Sequence, residues 1–221
     1  MSEINLYNTD CMEFMADKPD NFYDLAIVDP PYGIADKVIK GGEANRKKEL
    51  KLSKNLDVWD NIPSDEYFIE LFRISKNSII WGGNYFVKNI FHSRGWIVWD
   101  KIIGQGMNFA KAELAFTSFN KNMEIIKMDN YGKPKRGLTD KNAEPSDKKI
   151  HPTQKPVDLY KYCLSYAEPN DKILDTHGGS MSIAIACSDM GFDLDLCELD
   201  KDYFQAGKKR YEKHISQIRM F

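Results

Sequence analysis

Asp29-Pro30-Pro31-Tyr32 follows directly on the apolar run Leu25-Ala26-Ile27-Val28, which sets an acid, a rigid turn and an aromatic ring where a buried strand ends. Proline fixes φ at about −65° and donates no backbone hydrogen bond, and the residue before a proline is held extended. The strand must therefore stop at Asp29, leaving the Pro30 carbonyl as an acceptor. A carboxylate, a neighbouring carbonyl and a flat π surface suit a planar ring bearing an amino group, such as a nucleobase, held by its edge and its face. The competing reading is an ordinary strand-to-loop turn, since Asp and Pro are common turn residues.

Two further segments carry polar chemistry beside glycine or proline. Lys172-Ile173-Leu174-Asp175-Thr176-His177-Gly178-Gly179-Ser180 runs from strand through a glycine turn into a helix. Glycines let the backbone approach a ligand, and the helix that follows offers unpaired N–H groups. The stretch lacks G-x-G-x-x-G, which disfavours a pyrophosphate cofactor such as NAD. About twenty residues on, Leu194-Asp195-Leu196-Cys197-Glu198-Leu199-Asp200 is a second strand ending in acids, a spacing that suits an acceptor for ribose hydroxyls. Glu198 is the candidate; Asp200 suits the cap of the next helix, and Asp195 reads as an exposed strand residue. The third segment, His151-Pro152-Thr153-Gln154-Lys155-Pro156, presents four polar side chains on a chain stiffened by proline just before a helical pattern.

The elements that must position these residues alternate between short apolar runs and helical periodicity, which predicts an α/β sheet covered on both faces. Strands are expected at 25–28, 78–81, 96–99, 114–119, 124–128, 173–175 and 193–198. Helices are expected at 10–16, 64–75, 85–91, 157–167, 180–190 and 201–218, the second capped by Ser64. Residues 33–57 and 129–150 interrupt this rhythm as two long loops rich in Gly, Lys, Asn, Asp and Pro, a length typical of functional loops. With 221 residues and 42% apolar composition, one domain is expected.

A net charge of −2 excludes a globally basic nucleic-acid binder, so affinity for phosphates must come from local clusters. Lys37, Lys40, Arg46, Lys47, Lys48, Lys51 and Lys54 form one, and Lys133, Lys135, Arg136, Lys141, Lys148 and Lys149 a second. The competing reading of each is a solvated loop. Cys11, Cys163, Cys187 and Cys197 show neither C-x-x-C nor zinc-like spacing, so neither a metal nor a disulfide scaffold is indicated. With no export signal and no apolar stretch of membrane-spanning length, a cytoplasmic location is expected.

Asp29-Pro30-Pro31-Tyr32, His151-Pro152-Thr153-Gln154-Lys155-Pro156 and Asp175-x-x-Gly178-Gly179-Ser180, in this order, resemble the S-adenosylmethionine-dependent DNA amino-methyltransferases of the permuted β class. More narrowly the chain resembles the short phage and prophage adenine-N6 enzymes, since Ile79-Ile80-Trp81-Gly82-Gly83-Asn84-Tyr85-Phe86 and Trp96-Ile97-Val98-Trp99-Asp100-Lys101 are also similar to that subgroup. The resemblance implies a Rossmann-like, circularly permuted sheet of seven mostly parallel strands, the catalytic half preceding the cofactor half. It further implies that Asp10 and Cys11 complete the cofactor pocket, although Asp10 also reads as a helix N-cap.

On this resemblance Asp29, Pro30, Pro31 and Tyr32 are catalytic. Asp10, Cys11, Asp29, His151, Thr153, Gln154, Lys155, Asp175, His177, Gly178, Gly179 and Glu198 line the cofactor site. Arg46, Lys47, Lys48, Lys51 and Arg136 contact DNA. Asp29 and the Pro30 carbonyl would accept the two N6 hydrogens while Tyr32 stacks on an adenine extruded from the duplex. Two departures stand out: Thr176 and His177 replace the family's Pro and Phe, and Met181 follows Ser180. A chain this short has little room for a separate recognition domain, so a short target sequence or a homodimer sharing the duplex is expected. Cytosine-N4 transfer is the near alternative, its enzymes more often carrying Ser in place of Asp29, and a catalytically silent binding domain is the distant one.

Overall fold

The computed structural model describes residues 2–33, 61–103, 110–129, 150 and 153–218. Eight strands join one sheet: β1 (Ile4–Tyr7), β2 (Tyr23–Val28), β3 (Ser75–Trp81), β4 (Trp96–Asp100), β5 (Ala112–Thr117), β6 (Glu124–Lys127), β7 (Lys172–Asp175) and β8 (Asp193–Cys197). Their order is β1-β8-β7-β2-β3-β5-β4-β6, and β5 alone runs against the others. The helices are α1 (Cys11–Ala16), α2 (Asp65–Ile74), α3 (Val157–Leu164), α4 (Ser182–Met190) and α5 (Lys201–Ile218).

β2 is buried along nearly its whole length, as a central parallel strand with both faces covered must be. Its alternate residues feed two cores. Leu25 and Ile27, with Ile79 and Trp81 of β3, pack against α3, α4 and α5 through residues such as Leu159, Leu164, Ile183 and Phe204. Ala26, Val28 and Ile80 face the other way, onto Met15 of α1 and Tyr67, Phe68, Leu71 and Ile74 of α2. Those four α2 positions form one stripe at helical spacing, while Asp65 and Glu66 suit its positive end. Arg73 ties α1 to α2 by donating to the Met15 and Lys18 carbonyls and pairing with Glu70 and Asp20.

From β2 the chain passes outward to β3, and from β7 it passes outward in the opposite direction to β8. β2 and β7 are therefore neighbours across the point where strand order reverses, and such sheets open a crevice at the carboxyl ends of those two strands.

Four expectations need correction. The sheet has eight strands rather than seven; the addition is β1, which pairs with β8 from Ile4↔Leu194 to Tyr7↔Cys197. Because β1 covers β8, Asp195 is not an exposed strand residue: it is 3% exposed and bonds Tyr23 Oη, Asn5 Nδ2 and Lys172 Nζ. No helix spans 85–91, where a 3-10 turn over Gly83–Tyr85 gives way to further turns. Ser64 occupies the N-cap position of α2 without making a side-chain capping bond, its hydroxyl donating instead to Glu66. The two long loops lie outside the described residues except for Gly33, Asp129 and Ile150, and with them Arg46, Lys47, Lys48, Lys51 and Arg136. His151 lies outside as well.

Candidate active site

Pairing of Leu25 with Ile173 and of Ala26 with Leu174 brings the carboxyl ends of β2 and β7 side by side. Asp29 and Asp175 thus meet at one crevice although they are far apart in sequence. Asp29 is held at both oxygens. Tyr32 Oη donates to Oδ1 at 2.5 Å, and Lys155 Nζ lies 2.5 Å from Oδ2. Lys155 Nζ also donates to Tyr32 Oη at 3.2 Å and stands 3.2 Å from Glu113 Oε2 on β5. Glu113 in turn pairs with Lys101, just beyond β4.

Two carboxylates thus face two ammonium groups in a pocket where Lys155 is only 4% exposed. Burial works against the Lys155 ammonium, but the charges of Asp29 and Glu113 outweigh it and hold its pKa above that of an ordinary lysine. Glu113 mirrors this: burial raises its pKa, and Lys155 and Lys101 more than reverse the effect. Lys155 immediately precedes α3, and its carbonyl accepts from Ser182 Oγ in the first turn of α4 at 2.8 Å. Arg210 steadies that turn by donating to Ser182 Oγ and to the Ser180 carbonyl.

On the β7 side, Asp175 Oδ1 accepts the His177 amide at 3.0 Å, whereas Oδ2 is buried with no hydrogen-bond partner among the described residues. Burial pushes the carboxyl up to about 8, the negative charges of Asp29 and Glu198 add to this, and the His177 amide and Lys155 oppose it. The glycine bend follows. Gly178 packs so closely on Leu196 that a Cβ would lie 2.2 Å from Leu196 Cδ2, and Gly179 takes a left-handed φ of 47°. Glu198 staples this bend to the turn after β8, accepting Gly179 N at 2.7 Å on Oε2 and Asp200 N at 2.8 Å on Oε1. Asp200 caps α5 through Asp202 N and Tyr203 N.

Asp10 caps α1, its Oδ1 accepting from Met12 N at 2.7 Å and Glu13 N at 3.2 Å. The Asp10 charge acts on His177, and Cys11 feels both Asp10 and Glu198, so the start of α1 borders the same crevice. Burial and the Asp10 charge push the Cys11 thiol up to about 12, which leaves it protonated. Burial pushes His177 down to about 4, so its ring is neutral. That ring stands edge-on to Tyr67 at 5.4 Å, and its Nδ1 lies 2.9 Å from Thr176 Oγ1.

The structure therefore gathers Asp10, Cys11, Asp29, Tyr32, Lys155, Asp175, His177, Gly178, Gly179 and Glu198 around the ends of β2, β7 and β8. Gln154 accepts Ile150 N at 3.0 Å, and Thr153 beside it is exposed. Lys155, expected on the cofactor, reaches Asp29. Glu113 and Ser182 were not anticipated. The available signal was an acid inside the otherwise apolar run Ala112-Glu113-Leu114-Ala115-Phe116. Among the described residues no three His, Cys, Asp or Glu side chains are grouped to hold a metal ion, and no helix is long and apolar enough to cross a membrane.

Residues 23–209 match the DNA methylase family N6_N4_Mtase, and the chain belongs to that family. Among curated proteins it is similar to the type II methyltransferase M2.MboI of Moraxella bovis, 25% identical over 246 aligned positions that cover 95% of this chain and 88% of that protein. Among solved structures it is similar in fold to M1.HpyAVI in complex with SAM, with a TM-score of 0.59, 22% identity, and coverage of 94% of this chain and 99% of that one. It is equally similar in fold to the cytosine-N4-specific PvuII DNA methyltransferase, with a TM-score of 0.61, 13% identity, and coverage of 98% and 91%.

Proposed function

We propose that this chain transfers the methyl group of S-adenosylmethionine to N6 of an adenine flipped out of DNA. The observation that supports it most is the pair of acids across the β2/β7 crevice, one clamped at both oxygens, the other buried with one oxygen unbonded among the described residues. The orphaned Oδ2 of Asp175 fits the α-ammonium of an amino-acid-bearing cofactor, because a buried acceptor left unmatched costs about 1–3 kcal/mol. Gly178 and Gly179 would let the backbone approach that ligand. Glu198 would accept ribose hydroxyls on lone pairs not used by Gly179 N and Asp200 N. Asp10, Cys11 and the flat neutral ring of His177 would border the adenosine, with His151, Thr153 and Gln154 closing the pocket. S-adenosylmethionine held there would supply an electrophilic methyl group to the amine, and the N6 proton released on transfer would leave by way of Asp29, which already accepts that N–H, to solvent.

The chain's own contribution is to aim the amine. Its lone pair is delocalised into the purine ring, so acceptors for both N6 hydrogens are needed to localise it. Asp29 Oδ1 and the Pro30 carbonyl are those acceptors, and Oδ1 must first exchange the Tyr32 hydroxyl for an N6–H. Lys155 keeps Oδ2 throughout, holding the carboxylate in orientation, and Glu113 balances the Lys155 charge. Positioning and fixed electrostatics, rather than a covalent intermediate, lower the barrier. Tyr32, released from Asp29, stacks on the base and returns part of the extrusion cost, about 1–3 kcal/mol for such a contact. Lys47, Lys48 and Lys51 would hold phosphates, and Arg46 or Arg136 would reach base edges. A salt-dependent DNA affinity is expected of them, and a homodimer would widen the contact.

Nucleoside mass spectrometry of duplex DNA incubated with the protein and S-adenosylmethionine tests this reading. N6-methyladenine is the expected product; N4-methylcytosine would move the acceptor to cytosine, and no methylated base would overturn the proposal.

A further inference from the structure

The stretch Ile79–Phe86 resembles the adenine-N6 subgroup, yet the reaction above gives it no role. Its end carries an exposed aromatic ring at the mouth of the crevice. Tyr85 is 46% exposed, and its ring lies parallel to that of Tyr32, with centroids 4.9 Å apart and planes 14° from each other. The rest of Tyr32 is hemmed in. Phe86, buried, meets it edge-on at 6.0 Å, and the Gly82 backbone lies so close that a Cβ there would fall 2.1 Å from Tyr32 Cε1.

The backbone that presents Tyr85 is fixed. Gly82, at φ 71°, donates its N–H to the Leu114 carbonyl, Tyr85 N donates back to Gly82 O, and a Cβ on Gly83 would lie 2.9 Å from both the backbone N and the Cβ of Phe116. What can move is the Tyr85 side chain, rotating at χ1 into solvent. In the structure it covers a face of Tyr32, the ring that would stack on the base.

We propose that Tyr85 is the second aromatic wall of the base pocket: it stacks on Tyr32 while no base is present and swings aside to receive the flipped adenine between the two rings. The inference rests on the DNA reading above. A base held between two rings needs two van der Waals spacings, about 7 Å in all. The present stack is too close for that, so Tyr85 must retreat as the base enters. Stacking on both faces holds a purine in any rotation about the ring normal, and leaves the choice of edge to Asp29 and the Pro30 carbonyl. Tyr85 is thus assigned to holding the base, Asp29 to activating it.

The test uses the full chain, a duplex bearing its mapped target site, and the same duplex with 2-aminopurine in place of the target adenine. Tyr85→Leu and Tyr85→Ala are expected to raise KM for DNA about tenfold, the loss of one base–aromatic stack, with kcat changed less because the contact persists into the transition state. Emission of the bound 2-aminopurine should be low in the wild-type complex, where two rings quench it, and higher in both variants, with Tyr85→Phe restoring KM and quenching. S-adenosylmethionine affinity within about twofold of wild type shows that the fold is kept. If Tyr85→Leu leaves both KM and emission at wild-type values while the wild type methylates the duplex, the Tyr85 proposal is overturned and the DNA reading stands. If the wild type forms no methylated base, both fall.

Discussion

Two aspartates occupy corresponding places at the ends of the adjacent strands β2 and β7, and their surroundings could hardly differ more. Asp29 has a partner on each oxygen and an ammonium at 2.5 Å. Asp175 has one oxygen on a backbone amide and the other on nothing described. The first is finished without ligand; the second is complete only when something donates to it. Strand geometry alone therefore does not assign a role to an acid at a sheet edge. What assigns it is the side chain that arrives from elsewhere, here Lys155 ahead of α3, which serves one aspartate and passes the other by.

Removing the clamped acid should have the largest effect. Asp29→Ala is expected to lower methyl transfer by about a thousandfold or more, the scale of losing an oriented electrostatic contact in the transition state. S-adenosylmethionine affinity, measured by calorimetry, should change only a few-fold. Parental turnover in that variant would remove Asp29 from the mechanism. Lys155→Met comes next, and its main effect is on stability. Two partly buried carboxylates would lose their shared, buried counter-ion, a change that costs up to about 3–5 kcal/mol when one member of a fully buried pair is deleted. Urea unfolding reads this directly, and adding Glu113→Gln to Lys155→Met should recover part of the loss. No recovery would mean that Glu113 is balanced by Lys101 alone.

Much of this comparison was legible in the sequence, and the gaps have physical causes. Asp29 and Asp175 stand out because proline or glycine marks where each strand must end, and Glu198 because it closes a strand pattern about twenty residues after the glycine turn. Glu113 did not, because a charge inside an apolar strand has meaning only through its partner, and Lys155 approaches from a segment distant in sequence. The eighth strand escaped notice because Ile4, Asn5 and Leu6 are only half buried and Tyr7 is exposed, so β1 carries little apolar signal of its own. With β8 as an edge strand Asp195 would be exposed; the pairing of β1 with β8 buries it. At 85–91, where a helix is expected, a 3-10 turn over Gly83–Tyr85 stands instead. The left-handed Gly82 and the close approach of Gly83 to Phe116 turn the chain in another direction. Arg46, Lys47, Lys48, Lys51 and Arg136, expected to contact DNA, lie outside the described residues.

Asp175 allows the contrast to be read by pH. In the ligand-free fold its pKa is about 8, against an ordinary value near 4 in the unfolded chain. The folded state therefore keeps a proton that the unfolded state has already released, so this group lowers stability as pH rises from about 4 to about 8, by at most about 1.4 kcal/mol per unit. Asp175→Asn should remove that slope, and thermal melts at pH 6 to 9 would show the variant gaining on wild type up to about pH 8. Affinity for the cationic cofactor should move the opposite way, since binding needs the ionised acid and must expel its proton. Wild-type affinity should rise with pH to about 8, whereas Asp175→Asn should bind with a flatter profile and about ten- to a hundredfold more weakly, as loss of a charged hydrogen bond implies. Parallel profiles in the two proteins would show that Asp175 does not meet the cofactor's charge.

Two glycines divide the halves most finely. Gly82→Ala forces a Cβ into a left-handed position, costing about 1–2 kcal/mol, and directs it at Tyr32 Cε1 only 2.1 Å away. Gly178→Ala drives a Cβ to 2.2 Å from Leu196 Cδ2, which shifts the bend between Asp175 and Gly179. The first should displace the ring beside Asp29 and lower turnover between about ten- and a hundredfold, a scale typical of a misplacement near 1 Å, with cofactor affinity preserved. The second should weaken the cofactor while sparing kcat at saturation. Because the two glycines touch no common side chain, the effects should add within about 0.5 kcal/mol in the double variant. Marked non-additivity would mean that base side and cofactor side are coupled. The Ser182 bond to the Lys155 carbonyl, joining the turn after Gly179 to the residue that clamps Asp29, is the connection through which that coupling would run.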